Sequence, residues 1–263
     1  MSRSLEKINY EDHPQDGERG EEAAVFEEYV QSVFAEFGGT LLYTFVACMA
    51  VTTENLVAIA FAEGLTIAVL CSAFLKISGG HFNPALTFAV CVSGGLNPVL
   101  AAIYLIVQLI GAMIGAAFVK AVVLNISYDD IDGGVNKLRG SIPYDPYDLE
   151  HELDVTGGTA VVVEILISLM IFSAYMNANV DYKSKQMSGP LAYGFSVTAG
   201  ILSCFFASGA SFNPARSFGA AICSGYWNEH YIYWAGPFCG AIFSGLFYRL
   251  ILGDSKRRLV ARD

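Results

Sequence analysis

Phe-Asn-Pro-Ala occurs twice in this chain, at Phe82–Ala85 and at Phe212–Ala215, 130 residues apart. When Ala62–Gly95 is laid over Ala192–Gly225, the two segments align without a gap over 34 positions, and ten of these positions are identical. Two isolated Asn-Pro turns do not explain a gapless repeat of this length, so the pattern indicates an internal duplication. In a hydrophobic chain, matching segments that contain Gly and Pro point to a functional site between the two halves.

The composition and the apolar runs are typical of a membrane protein. Hydrophobic residues make up 54% of the 263 residues and charged residues only 15%. A soluble domain usually carries roughly 25% charged residues, so a soluble helical protein is disfavoured. Six apolar runs each have about the 20 residues that span a bilayer: Val33–Val51, Leu56–Leu75, Val99–Leu124, Thr159–Ala178, Gly189–Ala207 and Tyr231–Leu252. The sequence therefore predicts an all-α membrane protein with six transmembrane helices.

Charge and cysteine usage exclude several classes of function. The net charge is −10, but the acidic residues are concentrated at 6–28 and 129–154, and no basic stripe indicates nucleic-acid binding. The six cysteines lie in or beside apolar runs and form no CxxC pair. The sequence has no nucleophile–base arrangement and no metal-ligand spacing. We therefore expect no enzymatic activity, no cofactor and no metal site.

The distribution of Lys and Arg predicts the orientation in the membrane. With six spans, both termini lie on one side, and that side carries eleven of the 15 basic residues. Because basic residues favour the cytosolic side, we expect both termini in the cytosol and place the protein in the plasma membrane. Three spans in each half give the halves opposite orientations, so they form two inverted repeats. The predicted segments are an acidic cytosolic tail at 1–28, a first repeat at 29–124, an extracellular connecting loop at 125–156, a second repeat at 157–252 and a basic cytosolic tail at 253–263.

Each motif predicts a loop that enters the membrane, followed by a half-helix too short to span it. Asn is a favoured N-cap, and Pro fits the first helical position, where no N–H is needed. The motif residues are Asn83, Pro84, Ala85, Asn213, Pro214 and Ala215. The half-helices are predicted at 83–93 and 213–223. Non-helical backbone at this depth must be buried in protein or line a water-filled cavity.

The two loops together suit a pore for neutral solutes. We expect the backbone carbonyls of five loop residues to line it: Gly79, Gly80, His81, Gly209 and Ser211. The side chain of His81 is either a gate or a brace for its loop, and the two motif Asn side chains supply donors at the centre. Opposed insertion brings the half-helix N-termini together near the midplane, each with roughly half a positive charge. Such a pair repels cations and protons.

The motifs resemble those of the aquaporins, the major intrinsic proteins. The resemblance rests on the two Asn-Pro-Ala motifs, Arg216 directly after the second, Ala-Glu-Phe at 35–37 and Tyr-Trp-Ala-Gly-Pro at 233–237, and it covers residues 30–252. It implies six tilted spanning helices, two re-entrant half-helices, and a homotetramer with one pore in each subunit. It also implies passive conduction of water through the lipid bilayer with exclusion of ions and protons.

The resemblance also suggests roles for other residues. Glu36 and Glu164 resemble the buried glutamates of the family that accept hydrogen bonds from the re-entrant loops. Ser217 stands where glycerol-conducting members usually have Asp, and Tyr233-Trp234 resembles the aromatic pair of water-selective members. Both observations argue against a glycerol facilitator.

The outer selectivity filter departs from the common pattern of the family. Counting twenty residues back from Asn83, as the family's spacing allows, places Glu63 in the filter, together with Ile201, Ala210 and Arg216. The combination of Ile201, Ala210 and Arg216 resembles the filter of the ammonia-permeable branch, which contains animal aquaporin eight and the plant tonoplast intrinsic proteins. That branch usually has His where this chain has Glu63. Alternatively, Glu63 turns away from the pore or packs against Tyr193.

Two classes of function fit these residues. The first is a passive channel for water and small neutral solutes, with ammonia or hydrogen peroxide as further candidates. The second is a secondary transporter coupled through Glu63, Glu36 or Glu164, or a broad neutral-solute facilitator that uses Glu63. Inverted repeats and broken helices occur in channels and in transporters. The specific motifs favour the channel.

Overall fold

The structure is a computed structural model. It describes residues 26–123, 125–139, 141–145, 148–181, 186–253 and 259. The predicted tails at 1–28 and 253–263 lie mostly outside the described residues. The helices in the described part are α1 (Ser32–Ala50), α2 (Leu56–Phe74), α3 (Pro84–Val92), α4 (Pro98–Val122), α5 (Asn125–Asp130), α6 (Gly157–Tyr175), α7 (Gly189–Ser208), α8 (Pro214–Ser224) and α9 (Ile232–Phe247). Six of them are long and apolar enough to cross a membrane: α1, α2, α4, α6, α7 and α9. The predicted fold class is therefore confirmed, with α3 and α8 as the half-helices.

Wide π-helical turns extend three of the spanning helices. They are Phe26–Gln31 before α1, Met176–Val180 after α6 and Tyr248–Leu252 after α9. Local capping explains where two other spans begin. The side chain of Asn55 accepts a hydrogen bond from the Ala58 N–H at the start of α2. That of Asn97 accepts one from the Val99 N–H at the start of α4.

Each repeat is held together by close packing between its first and third spanning helices. In the first repeat, α4 lies against α1, and in the second, α9 lies against α6. A Cβ atom on Gly111 or Gly115 of α4 would collide with the backbone carbonyls of Phe37 or Leu41 in α1. Small residues of this kind let helix backbones approach each other in a membrane. The two glycines therefore have the packing role that their spacing suggests.

The two repeats meet through their second helices and their half-helices. Helices α2 and α7 cross where Gly64 and Gly194 bring the two backbones together, because a Cβ on either glycine would overlap the carbonyl of the other. The half-helix α3 of the first repeat packs on α9 of the second, and α8 of the second packs on α4 of the first. The fold thus buries each half-helix against the opposite repeat.

The segment that connects the repeats contains more regular structure than the predicted loop at 125–156. It forms α5, a 3₁₀ turn at Asp132–Gly134, and an antiparallel hairpin of β1 (Ser141–Asp145) and β2 (Asp148–Asp154). The strands are short and mostly polar, so no strong apolar alternation distinguishes them from a loop.

Candidate functional site

The two Asn-Pro-Ala motifs form a reciprocal pair at the centre of the molecule. Oδ1 of Asn83 accepts the N–H of Ala85 at 2.9 Å and so caps α3, while its Nδ2 donates to the Phe212 carbonyl at 2.8 Å. Asn213 caps α8 through the N–H of Ala215 at 3.0 Å and donates to the Phe82 carbonyl at 2.8 Å. One amide hydrogen of each Asn is therefore used between the loops. The second hydrogen of each amide can serve as the donor predicted at the centre.

The residue before each motif Asn adopts the same unusual backbone conformation. Phe82 has φ of 50° and Phe212 has φ of 54°, in the left-handed region that non-glycine residues rarely occupy. This conformation turns each Phe carbonyl toward the Asn of the other repeat. Both Phe side chains are buried, which holds the backbone in place.

Two buried carboxylates brace the loops that lead into the half-helices. Glu36 accepts hydrogen bonds from the Ser78 hydroxyl at 2.6 Å and from the N–H groups of His81 at 2.9 Å and Phe82 at 2.7 Å, and also from Gln108 Nε2 at 2.8 Å.

Glu164 repeats this arrangement in the second half. It accepts from the Ser208 hydroxyl at 2.6 Å and from the N–H groups of Ser211 at 2.9 Å and Phe212 at 2.7 Å. Both glutamates are fully buried. The geometry matches the bracing role that the sequence predicts for this pair.

A buried ion pair lies on the side of the Asn pair that the connecting segment covers. Arg216 Nη2 lies 3.1 Å from Glu63 Oε1, and each side chain is only 2% exposed. The other oxygen of Glu63 accepts the Tyr43 hydroxyl at 2.8 Å. Tyr193, the alternative partner considered for Glu63, donates instead to the His81 carbonyl at 3.0 Å. Both oxygens of Glu63 therefore accept hydrogen bonds.

The connecting segment completes the surroundings of Arg216. Nη1 of Arg216 donates to the Gly134 carbonyl at 2.6 Å and to Asn136 Oδ1 at 2.8 Å. The same Asn136 oxygen accepts the Ser217 hydroxyl at 2.6 Å, and Asn136 Nδ2 donates to the Gly209 carbonyl at 2.8 Å. Sequence reasoning missed Asn136. Nothing in a single sequence links it to a residue 80 positions away.

Tyr128 anchors the connecting segment. It packs with Cys48, Val119 and Ala220 in a small buried cluster. Burial raises the pKa of Tyr128 to about 12, so its hydroxyl is uncharged at neutral pH. The segment is thus fixed over the outer end of the pore by apolar contacts as well as by Arg216.

Cavities lie on both sides of the Asn pair. The cavity on the side of the connecting segment, called the outer cavity, has a volume of about 20 Å³. It is lined by Glu63, Ile201, Ala210 and Arg216, the four residues predicted as the filter, and by residues of the connecting segment. A wider cavity of about 360 Å³ lies against it and shares its lining at Lys137, Arg139 and Phe205. Nε of Arg216 is buried and has no hydrogen-bond partner within the described part of the chain.

On the other side of the pair, an inner cavity of about 260 Å³ is lined by Gly79, His81, Tyr175 and Asn179, among others. The His81 ring contacts Thr87 Oγ1 at 3.1 Å and packs edge-on against Tyr175. This arrangement supports a bracing role for the ring rather than a gate.

Some of the loop carbonyls predicted to line the pore already accept a hydrogen bond. Gly79 accepts from the Tyr175 hydroxyl at 2.6 Å, and His81 and Gly209 accept from Tyr193 and Asn136. No donor from the described residues reaches the carbonyls of Gly80 and Ser211. A carbonyl oxygen has two lone pairs, so those that are occupied retain capacity for one more donor.

Comparison with known proteins agrees with this geometry. Residues 24–248 match the family model described as "MIP: Major intrinsic protein". The chain belongs to the major intrinsic proteins, the aquaporins. It is 36% identical over 242 residues to aquaporin-8 of Mus musculus, a match that covers 90% of this chain and 88% of that protein. This similarity confirms the predicted resemblance to the aquaporin-eight-like branch.

Other relatives are similar over comparable lengths. Aquaporin-2 of Rattus norvegicus is 32% identical over 89% of this chain and 83% of its own length. The lens fiber major intrinsic protein of Lithobates pipiens is 34% identical over 88% of this chain and 85% of its own length. Among solved structures, the aquaglyceroporin from Plasmodium falciparum superposes with a TM-score of 0.70 over 86% of this chain and 97% of that one, at 16% identity, and so shows the shared fold. As an aquaporin, the chain is a multi-pass membrane protein that acts as a passive channel for water and small neutral solutes and not as an enzyme.

Proposed function

We propose that this aquaporin is a water-selective channel whose outer filter consists of Glu63, Ile201, Ala210 and Arg216. The observation that carries the proposal is the outer cavity, because these four side chains share its wall. Arg216 is held there from three directions, by Glu63, by the carbonyl of Gly134 and by Asn136.

The central pair of half-helices supplies the exclusion of ions and protons. The hydrogen bonds of Asn83 and Asn213 bring the N-termini of α3 and α8 together, so their positive poles meet. A cation at this point loses hydration and meets positive potential, whereas water finds donors and acceptors. Ammonia and hydrogen peroxide, which are uncharged, are the further solutes we propose.

A coupled transporter is less consistent with the contacts of the buried carboxylates. Ion coupling needs a carboxylate that can change partners during the cycle. Both oxygens of Glu63, of Glu36 and of Glu164 accept hydrogen bonds from fixed protein groups. The contacts of the three glutamates therefore support a channel with a fixed wall rather than a transporter whose carboxylates change partners.

The oligomeric state and the orientation form the remaining part of the proposal. On the strength of the resemblance, we propose a homotetramer with one pore in each subunit. The distribution of basic residues supports cytosolic termini and a plasma-membrane location. The mass of the protein in detergent, measured by light scattering, tests the first statement, and protease access to tagged termini in intact cells tests the second.

Reconstitution into proteoliposomes tests the proposed function. Stopped-flow shrinkage is expected to show rapid water flux with a low activation energy and glycerol flux close to that of empty vesicles. Ile201→Trp should reduce water permeability by about tenfold, because the bulky ring fills the outer cavity. Leu202→Trp is the matched control, since the neighbouring Leu202 is 40% exposed on the outer surface of α7. Glycerol permeability comparable to water permeability, or equal effects of the two Trp variants, would refute the proposed filter.

A further inference from the structure

A basic side chain lies at the C-terminal end of each half-helix. Lys120, in the last turn of α4, places Nζ 3.0 Å from the carbonyl of Cys223 near the end of α8. Arg249, in the turn that extends α9, places Nη1 3.0 Å from the carbonyl of Val92, the last residue of α3. Each cation comes from the third spanning helix of one repeat and caps the half-helix of the other.

These contacts affect the electrostatics of the pore centre. A helix carries roughly half a negative charge at its C-terminal end, which weakens the positive potential at its N-terminal end. A cation bonded to the last carbonyls cancels this negative pole. The N-termini of α3 and α8 meet at the Asn pair. Because the caps cancel the negative C-terminal poles, these poles no longer weaken the positive potential at the pore centre.

The side chains around the pore make this contribution important in this chain. Glu63 pairs with Arg216 in the outer filter. The pair as a whole has little net charge, so it repels cations less than an unpaired arginine would. Glu36 and Glu164, both fully buried, direct their carboxyl oxygens to the N–H groups of the two loops. The buried side chains therefore supply little repulsion of cations, and the backbone poles supply most of it.

We propose that Lys120 and Arg249 are specificity-determining residues that exclude protons and cations by capping the C-terminal ends of the two half-helices. The proposal rests on the proposed ion-excluding function of the channel. The half-helices of nine and eleven residues place the capping cations ~14 and ~16 Å from the central junction. At these distances, an effective dielectric constant of ~20 gives about sixfold to sevenfold lower cation passage per unit charge, and solvent screening reduces this to about twofold to sixfold. The exposed Lys120 should contribute the smaller factor, because solvent screens it.

The test measures proton leak and water flux on the same proteoliposomes of the full-length chain. Proton influx is followed with an entrapped pH-sensitive dye under a potential that is negative inside, and water flux is followed by stopped flow. The variant Lys120→Met/Arg249→Met removes both caps, and Lys120→Arg/Arg249→Lys keeps both charges.

We expect the double Met variant to leak protons about fourfold to thirtyfold faster than the wild type, with water permeability within twofold. The charge-preserving variant should match the wild type. Adding Glu63→Gln to the double Met variant should lower its leak, because Arg216 then repels cations without its partner. If the double variant does not assemble, the two single Met variants carry the same comparison at about twofold to sixfold each.

Three outcomes contradict the proposal. Wild-type proton leak in a double Met variant that conducts water normally would show that the caps do not act on selectivity. If the charge-preserving variant leaks protons as fast as the double Met variant, packing rather than charge is responsible. A leak that Glu63→Gln fails to lower would remove the link between the filter and the caps. Absence of water flux in the wild type would instead refute the proposed function.

Discussion

The ion pair of Glu63 and Arg216 is the residue-level feature that most distinguishes this filter. Both side chains are 2% exposed, so each charge has lost almost all of its hydration. Burial of two charges is tolerated only when hydrogen bonds satisfy the remaining donors and acceptors. Tyr43 does so for Glu63, and the connecting segment does so for Nη1 of Arg216. The pair therefore belongs to a network of contacts, and the loss of one member affects the others.

Glu63→Gln tests the energetic weight of this pair. The amide keeps the size of the side chain but removes the charge that balances Arg216. We expect a loss of about 1–3 kcal/mol in stability, measured by thermal unfolding in detergent. Glu54→Gln is the control, because Glu54 is an exposed acid at the start of the same helix region and should change stability by less than about 0.5 kcal/mol. Equal losses in the two variants would show that the pair contributes nothing specific.

At this scale, the sequence predicts residue types in motifs and misses contacts between distant segments. Arg216 and Glu63 are found by their spacing from the Asn-Pro-Ala motifs, which are local patterns. Asn136 contacts Arg216 only because the connecting segment folds back over the outer cavity. That return depends on Gly134, which lies against the backbone of Cys48 with φ of 75°. No periodicity in the connecting segment indicates this contact.

At the scale of elements, the half-helices are predictable because their start is encoded in two adjacent residues. Asn at the N-cap and Pro at the first helical position lead to α3 at Pro84–Val92 and α8 at Pro214–Ser224, within one residue of the predicted 83–93 and 213–223. The hairpin of the connecting segment has no comparable signal. Its strands are stabilised by pairing with each other, which a local pattern of short polar residues does not reveal.

Gly111 tests the contact between the first and third helices of a repeat. Gly111→Ala places a methyl group against the Phe37 carbonyl, so α4 must move away from α1. We expect a loss of about 1–3 kcal/mol in stability, measured by thermal unfolding in detergent. In Gly38→Ala of α1, the added methyl group meets nothing within 4 Å. Higher helix propensity should make that control neutral or more stable by up to about 1 kcal/mol. A stable Gly111→Ala protein would show that the two helices are not tightly packed there.

At the scale of the whole molecule, the duplication explains why the cavities lie on opposite sides of one central contact. Inverted repeats place Glu36 and Glu164 in equivalent positions, and each carboxylate holds one loop. The sequence predicts this symmetry because the motif is copied without a gap. It does not predict how the copies differ. The outer side carries the Glu63–Arg216 pair, whereas the inner cavity is lined by His81 and Tyr175.

The positions of the six cysteines relative to the cavities lead to the last prediction. None of them lines the cavities described above, and Ala210 occupies the filter wall. Mercuric ions should therefore inhibit water flux only weakly. Ala210→Cys should introduce strong inhibition that a thiol reagent reverses, because the new sulfur lies in the outer cavity. Ala199→Cys, on the exposed face of α7, should not. Complete inhibition of the wild type, abolished by Cys204→Ser, would place the water path beside Cys204 and outside the cavity that contains Arg216.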